Sequence, residues 1–266
     1  MSSSPTETDD AIPVAAPAET TPRRLAFDHM PKCGGSSFVA YLREHYPPDR
    51  TFVLEGGRRN REMLREFSLK TPEQREAIHL TIGHGAGDAF AYIHPDTVRV
   101  TCFRQPVDRI VSLYRYITRE PRHHFYARVH EERMDLDDFL ANIHTPETRN
   151  FFVQRLSGLG IEAIDADPAV ASRAALEGLA RNYDIAGSLD RFDAFAAAVA
   201  RLTRLPGRDG GMPRMNAAAE PVVAAALAAQ TRSRIEDMNR ADILFFRELE
   251  TRVGRRAIDG GRCHVV

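Results

Sequence analysis

Apolar positions along this chain recur with two periods, about 2 and about 3.6 residues, and the switching between them lays out strands and helices in turn. The short apolar run that ends in Pro31-Lys32 reads as a strand leading into a tight loop, and an amphipathic helical segment begins at Phe38. Thr51-Phe52-Val53-Leu54 predicts a short strand and Asn60 to Phe67 a charged helix. His79-Leu80-Thr81-Ile82 predicts a further strand, running into Gly83-His84-Gly85. The β-branched and apolar run Thr97 to Phe103 has strand character, and Arg104-Gln105-Pro106 follows it at once. Pro106 suits the first position of a helix. Beyond it Val107, Ile110, Val111, Tyr114 and Ile117 recur as one buried stripe, with Asp108, Ser112 and Arg115 on a different face.

Downstream the pattern is mostly helical. Asp135 to Ile143 reads as a capped helix. Thr145 to Gly158 has a Thr cap, Pro146 at the first helical position and a terminal Gly, which predicts one helix over that span. Pro168 to Arg181 is another helix and Tyr183 to Leu189 a strand. Asp190 opens an Ala-rich helix through Leu202, and Leu205 to Arg214, rich in Gly, Pro and charge, reads as a flexible connection. From Glu220 the chain is read as helical, with a packing stripe of Ile235, Met238, Ile243, Leu244, Phe246 and Leu249, and as frayed from Gly254.

At 266 residues the chain can bury a full α/β core. Residues 1–22 are rich in Ser, Thr, Pro, Ala and acid, too poor in bulky apolar groups to offset chain entropy, and predict a disordered tail ahead of one domain over 23–266. No basic start leads into an apolar core and no stretch is long enough to span a bilayer, so neither a signal peptide nor a transmembrane anchor is expected. Ala and Arg richness points to a bacterial, cytoplasmic protein. The net charge of −1 and pI of about 6.8 leave no global basic field for nucleic acid, so any anion site is local. Three cysteines without paired spacing argue against both a disulfide framework and a zinc site.

Such a local site is written into Pro31-Lys32-Cys33-Gly34-Gly35-Ser36-Ser37. A strand, a tight loop and a helix N-terminus present unpaired N–H groups and a partial positive charge to an oxyanion. Gly34 and Gly35 admit close backbone approach, Ser36 and Ser37 donate hydrogen bonds, and Lys32 adds a full charge. In a Walker A loop the lysine follows the glycines; here it precedes them. On these residues alone, a glycine turn with an incidental lysine is the competing reading.

The order resembles the 5′-phosphosulfate loop of sulfotransferases, which transfer a sulfuryl group from 3′-phosphoadenosine 5′-phosphosulfate (PAPS). It is most similar to the carbohydrate, heparan sulfate 2-O-like branch, where the loop often reads His-x-Pro-Lys-Thr-Gly-Gly-Thr-Ser. Cys33 is the departure, because a thiol is a weak donor and its contact would rest on the backbone N–H. Arg104 to Tyr116 resembles the family's Arg-[Asp/Glu]-Pro-[Ile/Val]-Glu-Arg-x-x-Ser-x-Tyr, with Gln105 in place of an acid. The resemblance implies that Arg104 and Ser112 hold the 3′-phosphate. The competing reading is a surface arginine paired with Asp108.

Gly83-His84 resembles the Gly-His at which the family carries its catalytic base. A histidine at a strand end, freed by glycines, suits removal of a proton from a hydroxyl. An ordinary loop histidine is the bland alternative, and His29, read as structural or as lining the nucleotide site, is the rival. Asn150 to Gly158 resembles the family's Asn-x-x-x-Gln-x-Arg-x-Leu-Ser-Gly segment with shorter spacing, which makes Arg155 a candidate nucleotide contact; a helix packing on the sheet with polar residues outward is the other reading. Arg119 to Arg133, dense in Arg and His with Phe125 and Tyr126 interleaved, is either part of an acceptor site for an anionic sugar or a solvated loop.

The resemblance thus implies a P-loop-like α/β domain with a central, mostly parallel sheet and a helical C-terminal part. The nucleotide would sit at the strand carboxyl ends. The implied activity is sulfuryl transfer from PAPS, without a metal, to a hydroxyl of a glycan or glycoconjugate. His84 would act as base, Lys32 at the bridging oxygen, and the N–H groups of Gly34 to Ser37 on the 5′-phosphate. A kinase of related fold, or a non-catalytic nucleotide- or glycan-binding module, are the alternatives. The kinase needs a lysine after the glycines and carboxylates for magnesium.

Overall fold

The computed structural model describes residues 21–56, 59–207, 227–258 and 260–266. Residues 1–20 of the expected tail, 208–214 of the expected connection and 220–226 of the expected last helix lie outside the described residues. In chain order the first half comprises β1 (Leu25–Asp28), α1 (Gly35–His45), β2 (Thr51–Leu54), α2 (Arg59–Ser68), α3 (Pro72–Glu76), β3 (Leu80–Gly83), β4 (Val98–Phe103) and α4 (Pro106–Ile117). Then come α5 (Tyr126–Glu131), α6 (Leu136–Asn142), α7 (Phe151–Ser157), α8 (Ile161–Ala166) and α9 (Pro168–Asn182). The rest is β5 (Ile185–Ser188), α10 (Phe192–Thr203), α11 (Ala229–Met238), α12 (Arg240–Thr251) and β6 (His264–Val265). Among the described residues no helix is long and apolar enough to cross a membrane.

The six strands form one parallel sheet in the order β2-β3-β1-β4-β5-β6. Side chains alternate across it as the pleat requires. Leu25 and Phe27 of β1, Val98, Val100 and Cys102 of β4 and Ile185 of β5 turn to the face covered by α1 and α10. There Phe27 meets Phe38 edge-on at 5.0 Å. Phe103 and Ala186 turn to the opposite face, under α7, α9 and α12. Phe103 packs edge-on against Phe152 and Phe245, each at 5.1 Å, which joins the sheet to two helices. Such aromatic pairs add about 0.5–1.5 kcal/mol each to the burial itself. A separate helical cluster, built on Val107, Ile110, Ile117, Phe139 and Ile235, packs α4 against α6 and α11. Of the predicted α4 stripe, Tyr114 alone is only half-buried.

The structure corrects four readings. α1 begins at Gly35, not Phe38, so the loop glycines belong to the helix start. The helix expected from Pro146 starts instead at Phe151, and the helix expected to continue from Glu220 is broken at Asn239 into α11 and α12. One cause explains both, because α7 and α12 cap each other. Asp242 accepts from the Phe152 and Val153 N–H groups at 3.1 and 2.9 Å. Asn150, held at φ 45°, accepts through Oδ1 from the Ala241 and Asp242 N–H groups. Its own N–H donates to Asn239 Oδ1 at 3.0 Å. The break also rotates the stripe, so Ala241, Phe245 and Leu249 are fully buried whereas Ile243 and Leu244 are not. Finally, the stretch from Gly254 does not fray: Ala257, Cys263 and Val265 are buried, and β6 adds to the sheet edge beside β5.

Candidate active site

Parallel register brings three segments level at one edge of the sheet. Asp28 at the end of β1 pairs with Gly83 of β3 on one side and Thr101 of β4 on the other. The loop after β1, His84 after β3 and Arg104 after β4 therefore emerge side by side at strand carboxyl ends, where open α/β sheets bind ligands.

The β1–α1 loop turns through two left-handed residues, Lys32 at φ 65° and Gly34 at φ 78°. Glycine takes this conformation without a steric cost; lysine does not, so its backbone is held by the surrounding loop. Gly34 caps α1 without a side-chain hydrogen bond, and the first turn carries no acid. The helix start is left as a positive, uncapped end. Ser36 is exposed at it and Ser37 is buried beneath. Arg104 Nη1 donates to the Lys32 carbonyl at 3.3 Å, joining the β1–α1 loop to the end of β4 across 72 positions. The Lys32 ammonium lies 3.8 Å from the centre of the Tyr116 ring. Burial, with Arg104 nearby, pushes Lys32 down to about 8.

Cys33 is turned inward. Its thiol is buried with Met30, Phe103 and Phe152, and it donates to the Pro31 carbonyl at 3.6 Å. Its N–H donates to the Met30 carbonyl at 3.3 Å, and burial pushes the thiol up to about 12. Both polar groups of Cys33 thus serve the turn itself. Ser112 lies two turns into α4, half-buried. Behind it Arg109 is fully buried, donating Nη2 to the Glu147 carbonyl at 2.7 Å.

His84 sits between Gly83 and Gly85, at φ 127° and 97°. A side chain on Gly83 would collide with the Leu54 carbonyl, so the strand end needs glycine there. The His84 Nδ1 lies 2.7 Å from the His29 carbonyl oxygen. That oxygen only accepts, so Nδ1 carries the hydrogen, and in the neutral ring the lone pair is on Nε2. Asn60 fixes the backbone from the other side, donating Nδ2 to the His84 carbonyl at 2.6 Å while its Oδ1 accepts from the Gly56 N–H at 2.7 Å. The His29 ring lies 4.4 Å from that of His84 and stacks on Phe27 at 5.5 Å. It covers Gly35 so closely that a side chain there would strike it. Burial, then the neighbouring His84 and Lys32, push His29 down to about 3, so it is neutral and a weak base.

His29 and His84 line a cavity of about 400 Å³, together with Asn60, Asp88, Glu147 and Arg155. Arg155 reaches it from α7 with its charge compensated. Nη1 donates to Asp88 at 3.1 and 3.3 Å, Nη2 lies 3.8 Å from Asp28, and the two carboxylates raise the guanidinium despite its burial. Asp28 accepts in turn from the Tyr183 hydroxyl at 2.7 Å. Part of the Arg/His-rich segment approaches the loop as well: His123 meets the Tyr116 ring edge-on at 5.7 Å and stacks on His124 at 4.5 Å.

Three residues of this site escape the sequence reading. Tyr116 was within reach of it: at four positions after Ser112 it shares a helix face with that serine, off the apolar stripe. Arg109 stands at the second arginine of the family pattern but its partner, the Glu147 carbonyl, is 38 positions away, and the bond from Asn60 to the His84 carbonyl spans 24 positions, so neither role was legible locally.

The model of the sulfotransferase family matches residues 20–247 of the chain. Among solved structures, a sulfotransferase from Alicyclobacillus acidocaldarius is 16% identical, the match covering 82% of this chain and 96% of that one at a TM-score of 0.36. No curated protein sequence matches significantly.

Proposed function

We propose that this chain, which belongs to the sulfotransferase family, uses its domain over residues 23–266 to transfer the sulfuryl group of PAPS to a hydroxyl of a carbohydrate. The residues around the loop fit such a donor: an uncapped helix start without acid, flanked by Lys32 and Arg104. Bound there, the donor would supply the sulfuryl group and depart as an oxyanion. The N–H groups of Gly34 to Ser37 would hold its 5′-phosphate, and Arg104 with Ser112 its 3′-phosphate. Cys33 supports the turn from inside, and Arg155, compensated by Asp28 and Asp88, serves as a wall of the acceptor cavity.

The observation that carries the reading is the 2.7 Å approach of His84 Nδ1 to the His29 carbonyl oxygen. With Nδ1–H donating to the His29 carbonyl, Nε2 is left to take a proton, in the wall of a cavity beside the loop. The acceptor hydroxyl gives its proton to Nε2 as its oxygen bonds to sulfur. The bond from sulfur to the bridging oxygen breaks, and the electron pair leaves with the nucleotide. Lys32 stabilises the charge that grows on that oxygen. Such chemistry relies on positioning and charge stabilisation more than on covalent participation.

The test is turnover of labelled PAPS against a panel of glycan acceptors, with wild type and His84→Gln. His84→Gln keeps its affinity for the desulfated nucleotide (PAP) in calorimetry while turnover falls by about 10²–10⁴. Unchanged turnover in His84→Gln removes the assigned base, and failure of every acceptor removes the carbohydrate assignment.

A further inference from the structure

We propose that Tyr116 is a positioning residue for Lys32, its ring being the seat that keeps the loop's ammonium charged and at the loop mouth in the donor-free protein. This rests on the reading of Lys32 as the group that meets the bridging oxygen. The geometry is specific: the ammonium stands 3.8 Å from the ring centre, within the range of a cation–π contact. The ring is 40% exposed, so it is not a core residue that happens to touch a lysine. His123 braces it edge-on at 5.7 Å.

The surroundings explain why a seat is needed. Burial and Arg104 from the end of β4 act against a charge on Lys32, while His29 from the end of β1 and His123 from the turn after α4 are both driven toward their neutral forms and supply no counter-charge. Cys33, adjacent in the loop, acts for it. The negative face of the Tyr116 ring favours the charge without adding an anion that would repel a phosphosulfate. Composition adds a second argument. Of 36 cationic side chains only Lys32 and Lys70 are lysines, the rest being arginine. A compact ammonium whose ionisation responds to its neighbours stands at this position, where a guanidinium would stay charged unaided.

The scarcity of lysine also makes the test direct. Reductive ¹³C-methylation labels two lysine side chains, assigned with Lys70→Arg, and NMR then titrates Lys32 in the free protein. Wild type and Tyr116→Phe titrate together, because Phe keeps the ring. Tyr116→Leu keeps apolar bulk but loses the ring face, and Lys32 then titrates lower by about half to one pH unit. The basic limb of kcat/KM for PAPS moves down by the same amount in Tyr116→Leu and is restored in Tyr116→Phe. An unchanged Lys32 titration in Tyr116→Leu overturns the proposal. Because the titration needs neither donor nor turnover, its result is separable from failure of the sulfuryl-transfer reading.

Discussion

His29→Gln should flatten the acid side of the stability profile while sparing catalysis. In the folded chain the His29 ring is packed between Phe27, His84 and the backbone of Gly35, and it is pushed down to about 3 from 6.5. The unfolded chain therefore binds a proton that the folded chain refuses between about pH 6.5 and 3. Stability is retained above that window and lost as the pH falls through it. From pH 7 to 4.5 this linkage amounts to about 2–3 kcal/mol. Asp242 acts with the opposite sign: burial raises it to about 6 from 3.8, so the folded chain gains stability as the pH falls from about 6 to 4. It is present in both proteins and cancels in their difference. Urea denaturation of wild type and His29→Gln at pH 7 and 4.5 should show wild type losing about 2–3 kcal/mol more. The variant's turnover at pH 7 should stay within severalfold of wild type, because a group titrating near 3 is a poor base there. Equal losses would refute the claim that His29 is buried neutral, and a collapse of turnover matching that of His84→Gln would reverse the roles of the two histidines.

Arg104→Ala should weaken PAP binding at least tenfold and erase most of the preference for PAP over 5′-AMP, since a charge-assisted contact is worth about 1.5–3 kcal/mol; calorimetry showing equal affinities of wild type for both nucleotides would defeat the assignment. Lys32→Ala should lower kcat far more than it weakens PAPS, with Lys32→Arg rescuing only in part; a large rise in the PAPS dissociation constant with saturating turnover intact would make Lys32 a binding group only. Asp242→Asn removes the counter-charge of fully buried Arg109 and weakens the cap on α7, so it should cost about 3–5 kcal/mol by urea denaturation; a variant as stable as wild type would show that the mutual capping of α7 and α12 contributes little.

Local chemistry sufficed for the strands that carry the site and for what stands at their ends. The β-branched run before Arg104, Pro106 at the start of α4, the Asp135 capping box of α6 and the glycines flanking His84 each act within a few residues, so their consequences are legible along the chain. The family loop was legible for the same reason, because lysine, glycines and helix start are contiguous. What escaped depends on partners far away. Asn150 and Asp242 end and begin helices through hydrogen bonds spanning about 90 positions, which no local pattern announces. Val265 and Cys263 hold the C-terminal stretch because β5 offers an edge, not because the sequence there is strand-like. The thiol of Cys33 turned to the core, the clamp of Asn60 on His84 and the Tyr116 seat for Lys32 were likewise decided by packing. Residue types and short spacings set which groups are available; the sheet order β3-β1-β4 decides which of them meet, since only the assembled sheet brings strand ends separated by more than fifty residues into hydrogen-bonding distance.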